Sequence, residues 1–228
     1  MAQARLGPLV SDIAGSIGGT TLQRSFLGTQ LRSRPNPIRR RTSYTATARQ
    51  STTFASRTWK ELSSTQRSGW QEVADGLVWY NRFGEVIRGK GYWLFLRCNQ
   101  YLALLGEPPV LTATTPPTFE AITDAACSYS PVPVMALSWS SPAAVPSGIA
   151  WLLFASPRLS TGRSAPFGQL RFIGSLAAGR TSPQSILSRW HSRFNQYPAA
   201  LTQAFLQIIQ VEVRSGHTSA PIALTANL

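Results

Sequence analysis

Apolar positions follow three different rhythms along the chain, and each predicts a different kind of structure. Ala55, Trp59 and Leu62 recur at i, i+4 and i+7, one stripe of a helix running from about Thr45 to Leu62. Ser63-Ser64-Thr65-Gln66 follows in a capping-box pattern, the Ser63 hydroxyl accepting from the backbone and Gln66 reaching back. The helix it opens places Trp70, Val73, Ala74 and Leu77 on one face. Gly69 within it costs about 1 kcal/mol relative to Ala. The two Trp-bearing stripes are expected to bury each other as a helical hairpin. Leu77–Tyr80 and Glu85–Arg88 then flank Asn81-Arg82-Phe83-Gly84, a β-hairpin signal. From Tyr92 to Leu105 apolar residues cover nearly the whole helical circumference, with Gly106 at C′ and Pro108-Pro109 beyond. That helix is expected to be heavily buried.

The language changes across 107–117, a Pro- and Thr-rich stretch read as a linker. Beyond it, Val134–Trp139, Ile149–Ala155, Leu170–Ile173, Ala204–Arg214 and Pro221–Thr225 read as strands. Turn clusters such as Ser140-Ser141-Pro142, Ser160-Thr161-Gly162 and Ser215-Gly216 separate them, a spacing that suggests a small sandwich. One helix interrupts this pattern, with Ser182 as N-cap, Pro183 at N1, and Ile186, Leu187, Trp190 and Phe194 on one face. By contrast, Leu22, Phe26, Leu31 and Ile38 keep neither period for long. With Gly15-Ser16-Ile17-Gly18-Gly19, Gly28, Pro35 and Pro37, residues 1–43 read as an extended arm with at most short strands near Thr20–Phe26 and Thr29–Arg34. Alone, such an arm buries too little to offset its ordering entropy. The expected fold class is α+β: an extended basic N-terminal arm (1–43), a small helical segment with a β-hairpin (44–106), the linker, and an antiparallel β-sandwich with one inserted helix (118–228).

Charge sharpens this picture. The 228 residues carry 22 Lys+Arg against 9 Asp+Glu, net +13, while 43% are hydrophobic and 14% charged, which argues against wholesale disorder. Lys60 and Lys90 are the only lysines, so the cations are nearly all guanidinium forks suited to carboxylate and phosphate. Residues 1–110 hold net +9 and residues 111–228 net +4. Between Arg24 and Arg57 lie eight arginines and no acid. Arg24, Arg32, Arg34, Arg39, Arg40, Arg41 and Arg49 are therefore the candidate contact residues. They would either dock on an acidic protein surface or neutralise nucleic-acid phosphates, and the residues alone leave these two readings level. Phosphate binding would weaken with salt at a slope of about −0.9 per phosphate. Tyr44, Trp59 and Trp70 have the chemistry to stack on bases, but their helical spacing points to core packing.

Other chemistry is sparse. Asp12, Glu61, Glu72, Asp75, Glu85, Glu107, Glu120, Asp124 and Glu212 are the whole acidic inventory, and most fall on expected exposed faces, turns or the linker. Neither His191 nor His217 has Cys, Asp or Glu at metal-ligand spacing, so no metal and no cofactor are expected. The glycine run at 15–19 lacks both the Gly-Lys-Ser/Thr and the preceding strand of a phosphate loop, and no Gly-x-Ser-x-Gly elbow occurs. Cys98 and Cys127, 29 positions apart, read as unrelated buried thiols. The longest apolar run, Ile149–Ala155, is too short to span a bilayer, and no secretory signal is visible. A non-enzymatic protein without a membrane role is the expectation.

The N-terminal half resembles a family of mostly uncharacterised proteins from tailed phages and prophages. The resemblance rests on Gly7-Pro8-Leu9-Val10-Ser11, Gly15-Ser16-Ile17-Gly18-Gly19-Thr20, Gly28 with Arg32, and Pro35 with Pro37. It continues through Trp59-Lys60-Glu61-Leu62, Gln66-Arg67-Ser68-Gly69-Trp70, Asn81-Arg82-Phe83-Gly84-Glu85, and Gly91-Tyr92-Trp93-Leu94-Phe95 with Asn99 and Gly106. The chain departs from that pattern at Arg39–Arg41, where fewer charges are expected. The C-terminal half resembles a fibronectin-III or immunoglobulin-like sandwich, with Leu137-Ser138-Trp139 as strand B, Trp151-Leu152-Leu153-Phe154 as strand C and Ile208 to Val213 as strand F. Together these imply a structural protein of a phage virion, a minor head-associated component present in multiple copies. Its arm would be anchored on major capsid or connector subunits. The rivals are a nucleic-acid-binding protein touching packaged genome and a glycan-binding surface module, the latter lacking a cluster of exposed Trp or Tyr.

Overall fold

The structure, a computed structural model, describes residues 2–4, 15–17, 19–25, 28–33, 43–81, 83–130, 134–162, 169–199 and 202–227. Among them the chain is α+β, with four helices and several antiparallel sheets. It divides into two compact units, one ending at Leu96 and one beginning at Arg97.

In the first unit, β1 (Ala2–Ala4), β2 (Gly15–Ile17), β3 (Thr20–Ser25) and β4 (Gly28–Ser33) form one antiparallel sheet in the order β1-β4-β3-β2. The strands expected near Thr20 and Thr29 are present, but they belong to a sheet rather than standing alone in an arm. β3 and β4 pair from Thr20↔Ser33 to Ser25↔Gly28, and the two flanking strands take up their outer edges. Backbone groups that an arm would leave to water are thereby paired. The pattern hid this because each central strand contributes a single large apolar residue, Leu22 opposite Leu31.

Helices α1 (Ser43–Glu61) and α2 (Ser64–Asp75) meet at the expected capping box. Gln66 N donates to Ser63 Oγ (3.2 Å), and Ser63 N donates to Gln66 Oε1 (2.9 Å). Ala55, Leu62, Trp70 and Ala74 are buried, and so is Phe95 from the start of α3 (Gly91–Leu105). The Phe95 ring lies 5.3 Å from Trp59 and 5.3 Å, edge-on, from Trp70. Gly91 makes this junction possible: its N–H donates to Gln71 Oε1 (2.9 Å), and a Cβ there would sit 2.6 Å from the Gln71 backbone nitrogen. Between α2 and α3 runs a two-stranded ribbon, β5 (Trp79–Tyr80) and β6 (Val86–Ile87). As expected, α3 is heavily buried, at Leu94, Phe95, Leu96, Cys98 and Leu102, although Trp93 and Leu104 are exposed.

In the second unit, residues 107–122 hold neither helix nor strand, but they are tied down. Asn99 grips Val110 from both sides, donating to its carbonyl (3.3 Å) and accepting from its N–H (2.7 Å). Then follow β7 (Ala126–Ser130), β8 (Val134–Ser138), β9 (Ile149–Ala155), β10 (Leu159–Ser160), β11 (Arg171–Leu176), β12 (Gln184–Ser185), α4 (Leu187–Phe194), β13 (Thr202–Glu212) and β14 (Ile222–Asn227). One sheet runs β12-β8-β7 and the other β10-β13-β9-β11, with β14 also on β13. They share a core in which Met135, Leu137 and Trp139 meet Trp151, Leu153, Leu206 and Ile208. Leu152 and Ile209, on the opposite face of the larger sheet, pack with Tyr101 and Leu105 of α3. Strand β9 is thus covered on both faces, which explains its unbroken apolar run.

Two readings need correction here. β7, β10 and β12 had no apolar signature strong enough to announce them. The inserted helix starts later than its sequence suggests: Ile186 is its N-cap, without a side-chain bond. Ser182 Oγ instead accepts from Trp139 N (3.0 Å), and Ile186 N donates to Met135 O (2.9 Å). Sheet pairing and the burial of Ile186 outweigh the local Ser-Pro start signal.

Candidate functional site

The candidate arginines lie on separate elements where they are described. Arg24 stands on β3 opposite Thr29, and Arg32 on β4 opposite Thr21. Arg32 is exposed on the strand face that holds Gln30, and its cross-strand neighbour Thr21 shares a hydroxyl–hydroxyl bond with Ser16 (3.0 Å). Leu31 occupies the other face. Arg49 is exposed on α1. Arg34, Arg39, Arg40 and Arg41 lie outside the described residues. Arg32 and Arg49 thus present guanidinium groups to solvent from a sheet and from a helix.

Other arginines of this unit serve the fold. Arg67 donates from Nη2 to Lys60 O (2.6 Å) and from Nε to Trp59 O (3.3 Å), capping carbonyls at the end of α1. Arg88 clasps Asp75 with both arms of its fork, Nε to Oδ1 at 2.9 Å and Nη2 to Oδ2 at 3.0 Å. These bonds hold the Asp75 carboxyl below its ordinary value of 3.8. Beside this pair opens a cleft of about 630 Å³. Trp59, Tyr92 and Ile87 form its apolar side, and Arg88 and Lys90 its polar rim. The Trp59 and Tyr92 rings are 5.5 Å apart, and Tyr92 Oη shares a bond with Ser56 Oγ (3.1 Å).

Two further features escaped the pattern. Cys98 and His217, 119 positions apart, meet in the second unit with Sγ 3.9 Å from Nδ1. His217 Nε2 lies 2.8 Å from Thr114 O, so it carries the proton it donates there and leaves Nδ1 to accept from the thiol. Cys98 is buried, and burial pushes its thiol up to about 12. The thiol is held as S–H, and the pair acts as a hydrogen bond pinning residues 98, 114 and 217 together. The second feature is the outer face of the β5–β6 ribbon, where Val78, Tyr80 and Val86 are exposed with Phe83 at the turn. The hairpin itself was legible in the sequence, its strands falling within Leu77–Tyr80 and Glu85–Arg88, but the exposure of this face was not. His191 bonds Gln196 O through Nδ1 (2.9 Å) and stacks on Tyr197 at 4.1 Å.

Among the described residues, no three of His, Cys, Asp and Glu gather as around a metal ion. No helix described is long and apolar enough to cross a membrane. The chain matches no family model, no curated protein and no solved structure.

Proposed function

We propose that this chain is a non-enzymatic structural protein of a tailed-phage particle, a minor head-associated component anchored to capsid or connector subunits by its arginine-rich N-terminal region. The observation that carries this reading is the charge of the first unit. Residues 1–96 hold 14 basic and 5 acidic residues, and Arg32 and Arg49 stand exposed on it. Arginine–carboxylate forks gain strength when one weak contact is repeated over many copies. The resemblance of the N-terminal sequence to proteins of tailed phages and prophages suggests the biological setting. Deleting residues 1–43 and measuring incorporation into particles tests it: loss of the protein from the particle is expected, and normal incorporation overturns the anchoring role.

The second unit fits an immunoglobulin or fibronectin-III-like module. Taking β7, β8 and β12 as strands A, B and E, and β9, β13 and β14 as C, F and G, the pairings A-B-E and C-F-G both follow. Leu137 and Ser138 lie on β8, and Trp151–Phe154 lie on β9, where the resemblance assigns strands B and C. Helix α4 would be an insertion between E and F. Nucleic acid is the second partner considered, favoured by the solvent-facing Arg32 and Arg49. Gel shifts across a salt series separate it from protein docking, since phosphate contacts weaken steeply with salt.

A further inference from the structure

We propose that the cleft formed by Trp59 and Tyr92 is a binding site for single-stranded nucleic acid: one unpaired base stacks against these rings, and cations on the rim and along α1 meet the flanking phosphates. The proposal goes beyond the anchoring role and does not depend on it.

The cleft itself is the first observation. Its volume of about 630 Å³ falls in the range of small-ligand pockets. Trp59 and Tyr92 are both half-buried, with ring centroids 5.5 Å apart and planes tilted by 59°. Phe95 backs the Trp59 ring at 5.3 Å. The Ser56 hydroxyl donates to Thr52 O (2.8 Å), so it accepts from Tyr92 Oη (3.1 Å), and the phenol is held in place. Fixed aromatic rings beside solvent offer stacking that any base can use. A base inside a duplex has no free face to enter such a cleft.

Charge around the cleft is the second observation, and it rests on individual side chains. Arg88 and Lys90 line the cleft, and no carboxylate does. Asp75 takes Arg88 Nε and Nη2, which orients the fork and leaves Nη1 without a partner among the described residues. On α1, Arg49, Ser56 and Lys60 fall within about 40° of one another around the helix axis. The Ser56 contact with Tyr92 places that stripe beside the cleft. Arg49 and Lys60 are exposed, and neither pairs with a carboxylate among the described residues. Glu61 lies about 160° round the helix from Trp59, away from the cleft. About 10 Å of helix separates Arg49 from Ser56, so the stripe would track a backbone leaving the cleft. A phosphate carrying a base matches both the cations and the rings, whereas carboxylate side chains match the cations alone.

The test uses the full chain and two fluorescein-labelled single strands of equal length and charge, oligothymidylate and its abasic counterpart. Anisotropy at fixed ionic strength should show about tenfold tighter binding of oligothymidylate. Tyr92→Leu keeps an apolar side chain but removes a stacking ring; it should abolish that advantage and leave the affinity for the abasic strand unchanged. Arg49→Ala with Lys60→Ala should weaken both strands and lower the salt slope by about 1.4, at ~0.7 per phosphate contact on a single strand. A photocrosslink from a strand carrying 5-iodouracil, mapped by mass spectrometry, is expected on Trp59 or Tyr92. It needs no variant, so it decides the matter should Tyr92→Leu fail to fold. Equal affinity for both strands, an advantage that survives folded Tyr92→Leu, or crosslinks confined to other residues overturns the proposal. So does displacement of the strand by poly-glutamate as readily as by unlabelled oligothymidylate. Normal particle incorporation after deletion of residues 1–43 would overturn the anchoring reading and leave these measurements standing, so the two failures are separable.

Discussion

Gly216 sits at φ +75°, and a Cβ on it would meet the Cys98 carbonyl oxygen at 2.5 Å. Both the backbone conformation and the space exclude a side chain, so Gly216→Ala should destabilise the protein by about 2–4 kcal/mol in denaturant unfolding. The same neighbourhood fixes the behaviour of Cys98. With its thiol pushed up to about 12, almost none is thiolate at pH 8. In a Cys127→Ser background, iodoacetamide should leave native Cys98 unmodified at that pH and alkylate it after unfolding. Rapid native alkylation would contradict the buried S–H···Nδ1 pair. Asp75 gives the pH dependence. Its carboxyl is depressed by Arg88, so the stabilisation is present above the ordinary value of 3.8 and is lost as pH falls through the lower folded value. Arg88→Gln should weaken that pH dependence of stability, as followed by chemical unfolding at acidic and neutral pH. None of these contacts was legible in the chain, because position 98 finds position 217 only through the fold.

Local signals were read well at the scale of elements, and signals set by packing were not. The capping box at Ser63 was visible because its partners are three residues apart, and Ser63→Ala should cost about 1 kcal/mol of stability by thermal or chemical unfolding. Helix α4 shows the opposite case. Its Ser-Pro start signal lost to the pairing of Ile186 with Met135, which draws the preceding residues into β12. Trp190, which the same helix places in the core, donates from Nε1 to Ser156 O (2.9 Å). Trp190→Phe keeps an aromatic side chain but shrinks it and leaves that buried carbonyl without its donor, and should cost about 2–4 kcal/mol. The β1–β4 sheet went unread because a strand with one large apolar residue has no visible period.

For the whole molecule, the division of labour was legible before the architecture was. The sequence placed the charge in the first unit and the long apolar strands in the second, where β9, β13 and β14 lie close to their expected positions. What it missed was a sheet built from the basic segment, and with it a fixed place for Arg24 and Arg32. The net charge of +13 makes the partner question answerable in solution. If the arginines bind phosphate, replacing Arg39, Arg40 and Arg41 by Ala should reduce the salt slope of DNA binding by up to about 3. If they bind carboxylates, retention of the protein on particles should fall while DNA binding is unchanged.

The aromatic core of the second unit has a consequence for measurement. The indoles of Trp139 and Trp151, one on each side of the sandwich interior, stand 4.8 Å apart at 64°. Two identical chromophores so close and so oblique couple excitonically, which gives circular dichroism a paired signal that neither indole produces alone. Because one partner follows β8 and the other lies on β9, separating the layers erases the couplet even where each strand keeps its hydrogen bonds. The protein thus carries an optical gauge of whether its interior is closed, readable without any label.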